Sequence, residues 1–316
     1  MTSATPDNVG AGPGYTPGSL TVHRFPAELA KVTRALRGTG RTITLVPTMG
    51  ALHEGHRELI RRARRVPGSV TVVSIFVNPL QFGPGEDFER YPRPFDADVE
   101  MCREEGVELV LAPEREDVYG SDPQITVHPG EPADQLEGAS RPGHFAGVLT
   151  IVAKLFNIVR PDLALFGEKD YQQLALVRRM SRELNFDVAV QGIPLIREPD
   201  GLALSSRNAY LTAEQREAAL SLSAALTAGA HVATGGAGAS AVLSAAREVL
   251  DSEPLVRVDY LELRDPEFGP APAEGEARLL IAATVGETRL IDNALVLLGG
   301  SGDGSPPEDP AGPEAS

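Results

Sequence analysis

Apolar runs of two kinds alternate along the first two thirds of the chain. Short runs rich in β-branched residues are typical of buried strands, and longer segments with apolar residues every three or four positions are typical of amphipathic helices. The predicted strands are RTITLVP (41–47), SVTVVSIFVNP (69–79), VELVLAP (107–113) and DLALFGEKD (162–170). The predicted helices are GHRELIRRARR (55–65), FDADVEMCREEG (95–106), FAGVLTIVAKLFNIV (145–159) and YQQLALVRRMSREL (171–184). This alternation predicts an α/β fold with a doubly wound, mostly parallel sheet.

The pattern changes near residue 196. Two alanine-rich helical segments come first, and three segments with strand patterns follow them. The predicted helices span 212–234 and 239–253, and the predicted strands span 256–265, 277–285 and 288–298. We therefore expect a smaller α+β domain after the first one, with the boundary between residues 195 and 196.

The two ends of the chain have a different composition from the rest. Residues 1–19 and 301–316 are rich in glycine, proline, serine and acidic residues. Segments of this kind cannot bury enough apolar surface to offset the entropy of ordering. Both ends are predicted to lack fixed structure, which leaves domains over residues 20–195 and 196–300.

Composition and charge narrow the class of protein. The chain has 316 residues with 42% hydrophobic content, enough for a sizeable core, and its formal charge of −15 argues against nucleic acid or an anionic membrane as a partner. It contains neither a run of ~20 apolar residues nor a basic and then apolar leader. A single cysteine, Cys102, excludes an internal disulfide and fits a reducing compartment. We expect a cytoplasmic protein.

His53 and His56 follow the first predicted strand, in the segment PTMGALHEGH. A zinc pair is one interpretation, but the spacing differs from the metalloprotease pattern and no nearby cysteine or third histidine completes a site. Helix-capping or surface histidines are another. A phosphate site is the third, because Gly50 and Gly55 would let backbone N–H groups approach an anion at a helix N-terminus.

Two more polar segments come at the ends of predicted elements. In FGEKD, Lys169 can supply a point charge to phosphates, and Asp170 can hold a ribose or a magnesium-bound water; a solvated turn is the alternative. In LSSRN, Arg207 offers a forked donor to phosphate oxygens, although serine-rich loops also simply cap helices. Ligands of doubly wound sheets bind beyond the carboxyl ends of the strands, where these segments are predicted to lie.

The full set of motifs resembles one family. PTMGALHEGH (47–56), FVNPLQF (76–82), LEGASRPGHFAGV (136–148), FGEKDYQQ (166–173) and DGLALSSRNAYL (200–211) occur in the order found in pantothenate synthetases, the pantoate–β-alanine ligases. The resemblance implies a Rossmann-like domain for ATP and pantoate, a smaller C-terminal lid, Mg²⁺ and a homodimer. It also implies the reaction: ATP and (R)-pantoate give pantoyl adenylate and pyrophosphate, and β-alanine then displaces AMP to leave pantothenate.

The resemblance also implies residue roles. His56, His53, Lys169 and Arg207 are expected to act in catalysis, with His56 as the proton donor. The expected ATP contacts are Met49, Gly50, His53, His56, Gly167, Lys169, Asp170, Ile196, Leu204, Ser205, Ser206 and Arg207. Pantoate is expected to contact Gln81 and Gln173, with Asn78 as a supporting contact. Acidic residues of FDADVE lie where some relatives place magnesium, but that pattern is loose and the metal ligands are left unassigned.

Three alternatives compete with this function. Another adenylyltransferase of the same superfamily would share the first motif, but FVNPLQF and FGEKDYQQ together are not expected in it. A tRNA-charging enzyme would call for a less acidic chain and an appended RNA-binding domain. A non-catalytic nucleotide sensor would be expected to have lost catalytic positions, and those named above are all present.

Overall fold

The computed structural model describes residues 14–299. The first part of the chain forms one parallel sheet of six strands in the order β1-β4-β3-β2-β5-β6. These strands are β1 (Thr21–His23), β2 (Thr42–Thr48), β3 (Ser69–Ile75), β4 (Leu109–Leu111), β5 (Leu163–Gly167) and β6 (Ala189–Ile193). The helices of this part are α1 (Pro26–Gly38), α2 (Glu54–Arg64), α3 (Phe95–Glu104), α4 (Arg115–Tyr119), α5 (Glu137–Ser140), α6 (His144–Val159) and α7 (Tyr171–Glu183). The predicted α/β class with a Rossmann-like sheet is confirmed.

Both faces of this sheet are buried, as its apolar strands require. On one face Leu45 and Phe166 pack in a core with the apolar stripe of α6. On the other face Val46 and Leu165 pack in a separate core with residues of α2, including Ile60. Consecutive residues of one strand thus enter opposite cores, because side chains alternate across a strand.

The second part of the chain packs two helices on a small antiparallel sheet. The helices are α8 (Ala213–Thr234) and α9 (Ala239–Asp251), and the strands are β7 (Val256–Arg264), β8 (Gly275–Val285) and β9 (Thr288–Leu298), paired in that order. A capping box begins α8, in which the Thr212 hydroxyl accepts from the Gln215 N–H at 3.2 Å and the Gln215 side-chain oxygen accepts from the Thr212 N–H at 3.1 Å. The predicted smaller α+β domain is confirmed.

The predicted domain bounds stay a proposal. A separate apolar core in the second part, which reaches back only as far as Leu202, supports a boundary near residue 195. Residues 1–13 and 300–316 lie outside the described residues, which leaves out most of the predicted N-terminal tail and all of the predicted C-terminal tail. Tyr15, within the predicted N-terminal tail, is described, and its hydroxyl donates to the Glu108 carboxylate at 2.7 Å.

The predicted strand over 69–79 is too long, because β3 ends at Ile75. The Asn78 side chain accepts from the Leu80 N–H at 3.3 Å and caps a short 3₁₀ helix, Pro79–Gln81. Proline suits the first position of such a helix, since its fixed φ matches and its missing N–H has no partner there. The chain therefore turns before Pro79 and brings Gln81 to the carboxyl edge of the sheet.

No helix within residues 14–299 combines the length and the apolar character needed to cross a bilayer.

Candidate active site

The polar motifs meet where the direction of the sheet connections reverses. Strand β2 pairs with β3 on one side and with β5 on the other, so the loops that leave β2 and β5 diverge at this point. A crevice forms at such a switch point, beyond the carboxyl ends of the strands. The segments that follow β2, β3, β5 and β6 all line one cleft there.

The turn after β2 is held by a buried carboxylate from α3. Asp98 accepts hydrogen bonds from the backbone N–H groups of Ala51 at 2.9 Å and Leu52 at 2.7 Å. Gly50 and Ala51 have φ values of 84° and 50°, which lie in the left-handed region. A Cβ on Gly50 would lie 2.9 Å from the Asp98 carboxylate, so only glycine fits between this carboxylate and the turn. Asp98 thus shapes the backbone that leads to the two histidines.

The two histidines are linked to each other and to the start of α2. The His53 N–H donates to Nδ1 of His56 at 3.3 Å, and Nδ1 of His53 accepts from the Gly55 N–H at 3.2 Å. The ring centroids are 4.1 Å apart. Because each Nδ1 acts as an acceptor, the hydrogen-bond network assigns the proton of each neutral ring to Nε2. Each ring therefore has an Nε2–H donor left for a ligand in the cleft.

Both rings are neutral in this environment. Burial, followed by the neighbouring His53, lowers the pKa of His56 from its ordinary 6.5 to about 3. Burial, followed by the charge of Lys169, also lowers the pKa of His53. Neutral Nε2–H groups can still donate hydrogen bonds to phosphate oxygens, and bound phosphates would favour the charged forms.

Lys169 and Asp170 lie in a 3₁₀ turn directly after β5. The Lys169 ammonium is 3.8 Å from the Asp170 carboxylate, which is about half exposed to the cleft. Protein atoms around Asp170 raise its pKa, but Lys169 and Arg207 lower it by more, so the net shift is downward. The cleft therefore contains an ionised carboxylate next to a lysine that lines the same two cavities.

Gln81 and Asn78 form a fixed pair beside β3. The Asn78 amide donates to the Gln81 side-chain oxygen at 3.0 Å and to the Gly147 carbonyl at 3.1 Å, and it accepts from the Tyr119 hydroxyl at 2.7 Å. The Gln81 amide nitrogen lies 3.0 Å from the Met49 sulfur, which is a weak acceptor. Asn78 is thus engaged by the protein and orients Gln81, whose N–H₂ group is the one suited to a substrate.

The loop with Arg207 closes the cleft from the side of the second domain. The Ser205 hydroxyl accepts from the Arg207 N–H at 3.3 Å, and the Leu204 N–H donates to the Ile196 carbonyl at 2.9 Å. The Arg207 guanidinium is 3.2 Å from the Asp87 carboxylate. An anionic ligand that binds Arg207 must therefore compete with Asp87 or share the guanidinium with it.

The cleft comprises two adjoining cavities. One of about 250 Å³ is lined by both histidines, Gln81 and Gln173, and one of about 930 Å³ is lined by residues of both domains, including strand β9. Arg141, Lys169, Asp170, Ser205 and Arg207 line both cavities. Of the predicted site residues, Gly50 alone does not line either cavity. It lies behind the turn against Asp98, so its predicted contact with ATP has no support from its position.

Arg141 was not among the predicted site residues, whereas His144 was expected to lie near the site without an assigned role. Both are in the LEGASRPGHFAGV motif, and the fold brings them to Gln81. Arg141 donates to the Glu86 carboxylate at 3.1 Å and to Nε2 of His144 at 3.1 Å. The protonated Nδ1 of His144 then donates to the Gln81 carbonyl at 2.8 Å. The charge of Arg141 is therefore balanced by Glu86.

No three His, Cys, Asp or Glu side chains within residues 14–299 come together in an arrangement that could hold a metal ion. The acidic segment FDADVE supplies the start of α3, and its Asp98 is bound to the backbone of the histidine turn. Asp96 of the same segment is exposed.

The cleft lies at the switch point of a parallel sheet, which is where enzymes of this fold bind nucleotides and other phosphorylated ligands. The sequence model of the pantoate–β-alanine ligase family matches residues 21–295. The chain belongs to this family, and the resemblance seen in its motifs is confirmed. Its reaction is the ATP-dependent condensation of pantoate with β-alanine.

Relatives and solved structures agree with this assignment. The chain is 78% identical over 301 residues to the pantothenate synthetase of Saccharopolyspora erythraea, covering 95% of this chain and 99% of the relative. It is 63% identical over 292 residues to that of Nocardia farcinica, covering 92% and 91%. The crystal structure of pantothenate synthetase from Thermus thermophilus superposes with a TM-score of 0.81 at 46% identity, over 86% of this chain and 98% of that one.

A further structure is a complex. The pantoate–β-alanine ligase from Francisella tularensis, complexed with "Beta-gamma ATP" and β-alanine, superposes with a TM-score of 0.73 at 30% identity. The match covers 88% of this chain and 98% of that one.

Proposed function

We propose that the cleft holds the ATP phosphates between the histidine turn and the Lys169 turn, and holds pantoate against Gln81 and Gln173. The observation that carries this proposal is the convergence of four strand ends on one pair of adjoining cavities. The carboxylate of pantoate then attacks the α-phosphorus of ATP, and pyrophosphate leaves. This displacement needs little covalent work from the protein, so positioning and charge stabilisation account for most of the catalysis.

The phosphates meet neutral and charged donors in this arrangement. Nε2–H of His53 and of His56 donate hydrogen bonds, while Lys169 and Arg207 supply positive charge. The depressed pKa of His56 is consistent with a neutral hydrogen-bond donor in the free enzyme. Charge that builds up on the phosphates strengthens these hydrogen bonds, so the neutral His56 ring stabilises the leaving pyrophosphate as a donor through Nε2–H.

Pantoate requires a site that can form hydrogen bonds with two hydroxyls and a carboxylate. Amide side chains donate and accept at once, which suits Gln81 and Gln173. Arg141 lies close by, but Glu86 balances its charge. The pantoate carboxylate is thus held without a strong ion pair, and it keeps the nucleophilicity that attack on phosphorus requires. The amine of β-alanine subsequently attacks the acyl carbon and displaces AMP.

The residues present fit a magnesium ion that arrives with ATP. Mg²⁺ is usually bound through one or two carboxylates together with substrate phosphates and water, and Asp170 offers an ionised carboxylate that is half exposed to the cleft. Asp170 would hold the ion there, and the ion would neutralise charge on the phosphates. We also propose, from the family resemblance, that the protein is cytoplasmic and forms a homodimer. Sedimentation of the purified protein measures its oligomeric state.

ATP consumption tests the proposed function. The purified protein should form AMP and pyrophosphate together with pantothenate when pantoate and β-alanine are both present. β-Alanine alone should give no nucleotide turnover, because pantoate supplies the nucleophile of the first step. Turnover that needs β-alanine but not pantoate would contradict the proposed order of events.

A further inference from the structure

The turn that carries Lys169 is held by a strand of the second domain. Asn293 lies on β9 and is buried, with 2% of its surface exposed. Its side-chain amide donates to the carbonyl of Glu168 at 2.8 Å and to the carbonyl of Lys169 at 3.0 Å. Both N–H groups of this amide are therefore used to hold the backbone of a single turn.

The orientation of the Asn293 amide is fixed from its other side. Arg278 on β8 donates to the Asn293 side-chain oxygen at 3.2 Å and to the Glu168 carboxylate at 3.3 Å. The same guanidinium lies 4.1 Å from the centre of the Tyr171 ring, at the start of α7. Because the oxygen of the amide is bound by Arg278, the NH₂ group must face the turn.

A second link joins β9 to the loop after β6. Asp292 is 3% exposed, and its carboxylate accepts from both terminal nitrogens of Arg197, at 2.6 Å and 3.0 Å. It also accepts from the N–H of Asn293 at 2.7 Å. Arg197 directly follows Ile196, which lines the cleft. Asn293 thus holds the backbone of the Lys169 turn, and the adjacent Asp292 holds the Arg197 side chain beside the cleft.

We propose that Asn293 is a positioning residue for Lys169. The small sheet then does more than cover the cleft. Its strand β9 fixes the backbone position from which the Lys169 side chain extends toward the phosphates. A misplacement of about 1 Å in such a group can cost up to ~10²-fold in rate. This inference rests on the role of Lys169 put forward under Proposed function.

A double-mutant cycle tests the positioning role. Asn293→Asp keeps the size of the side chain, removes both donors and places a carboxylate oxygen against two carbonyls. We expect it to lower kcat by about ten- to a hundred-fold with little change in the KM for pantoate. In a Lys169→Ala background the same substitution should change kcat by less than about two-fold, because the group that it displaces is already gone.

Two further variants separate positioning from general stability. Asn293→Ser keeps one donor and is expected to lose less activity than Asn293→Asp, and it serves in the cycle if the aspartate variant does not fold. Val296→Ala is the matched control, since Val296 is buried in the core of the second domain on the same strand. It should lower Tm and leave kcat unchanged.

The outcomes distinguish the two proposals. If Asn293 substitutions lower kcat by the same factor with and without Lys169, Asn293 acts independently of the lysine and the positioning role is overturned. If Lys169→Ala alone leaves kcat unchanged, the proposed role of Lys169 fails, and the positioning role fails with it. A loss of kcat in Val296→Ala equal to that in Asn293→Asp, at equal loss of Tm, would also overturn the inference.

Discussion

The backbone N–H of His53 donates to Nδ1 of His56, and this one contact decides what the His56 ring can do in the cleft. A ring that accepts at Nδ1 is protonated at Nε2, so it meets a phosphate as a hydrogen-bond donor while it remains uncharged. The spacing of three residues is explained by helix capping, because the two Nδ1 atoms form a capping box at the start of α2, and the Nε2–H groups are left for the proposed phosphate contacts.

The charge of His56 can be followed by NMR of ¹⁵N-labelled histidine. We expect a neutral ring with the proton on Nε2 from about pH 8 down to about pH 5, where an exposed histidine is largely charged. The reason is the downward shift of its pKa to about 3, caused first by burial. A non-hydrolysable ATP analogue should raise this pKa, since phosphates favour the charged form.

His231 on α8 provides the internal comparison in the same spectra, because it is exposed and does not line either cavity. An imidazolium signal for His56 at about pH 7 without nucleotide would contradict the neutral ring, and a neutral ring with its proton on Nδ1 would contradict the assigned tautomer.

Asp98→Ala should damage both stability and ATP use. The substitution leaves the N–H groups of Ala51 and Leu52 without their acceptor, and an unsatisfied N–H group costs about 1–3 kcal/mol. We expect a lower free energy of unfolding in urea and a higher KM for ATP, because the turn ahead of the histidines loses its support. Asp96→Ala is the matched control, since Asp96 is exposed on the same helix. Equal behaviour of the two variants would show that Asp98 does not hold the turn.

Much of this cleft could be predicted from local sequence. Strands and helices of the first domain follow from apolar periodicity, and turns that follow parallel strands must share one edge of the sheet. Strand β6 and helix α1 were not predicted, because their apolar patterns are weak. Strand β6 is partly exposed at the edge of the sheet and contains Gly192. Helix α1 has few apolar residues besides those that it buries, such as Leu29 and Leu36.

The contacts between distant segments could not be predicted in this way. Asp98 binds backbone 46 and 47 residues earlier in the chain, and Asn293 binds backbone 124 and 125 residues earlier. An aspartate at the start of α3 is equally typical of a solvated helix N-terminus. Its role depends on how α3 packs under the end of β2, and periodicity contains no information on that packing.

Substitutions of Lys169 and Gln81 should have different kinetic effects. Loss of an interaction made mainly in the transition state lowers kcat and kcat/KM together, and loss of uniform substrate binding raises KM. Lys169→Ala should therefore lower kcat by ~10² or more. Gln81→Ala should raise the KM for pantoate and leave ATP affinity nearly unchanged.

Lys31→Ala serves as the control for these variants, because Lys31 is exposed on α1 and does not line either cavity. An equal loss of ATP affinity in Gln81→Ala would assign Gln81 to the nucleotide instead of pantoate.

Metal analysis separates a phosphate site from a zinc site at the histidine pair. No third histidine, cysteine or carboxylate joins the pair in a ligand cluster within residues 14–299. We expect protein purified without chelator to contain well under one zinc ion per chain, and EDTA to inhibit only until Mg²⁺ is restored. Tightly held zinc in a one-to-one ratio would show that the pair is a metal site.

The central claim is that pantoate reacts with ATP in this cleft to form an acyl adenylate before β-alanine takes part. Closure of the loop around Arg207 would exclude water from this intermediate and slow its hydrolysis. The most direct measurement is the exchange of labelled pyrophosphate into ATP in the presence of pantoate and the absence of β-alanine. We predict rapid exchange of pyrophosphate into ATP that requires pantoate. When β-alanine is then added to a reaction with pantoate labelled by ¹⁸O in its carboxylate, one ¹⁸O should appear in the AMP. ¹⁸O in inorganic phosphate, with ADP as the nucleotide product, would mean an acyl phosphate and would contradict the account.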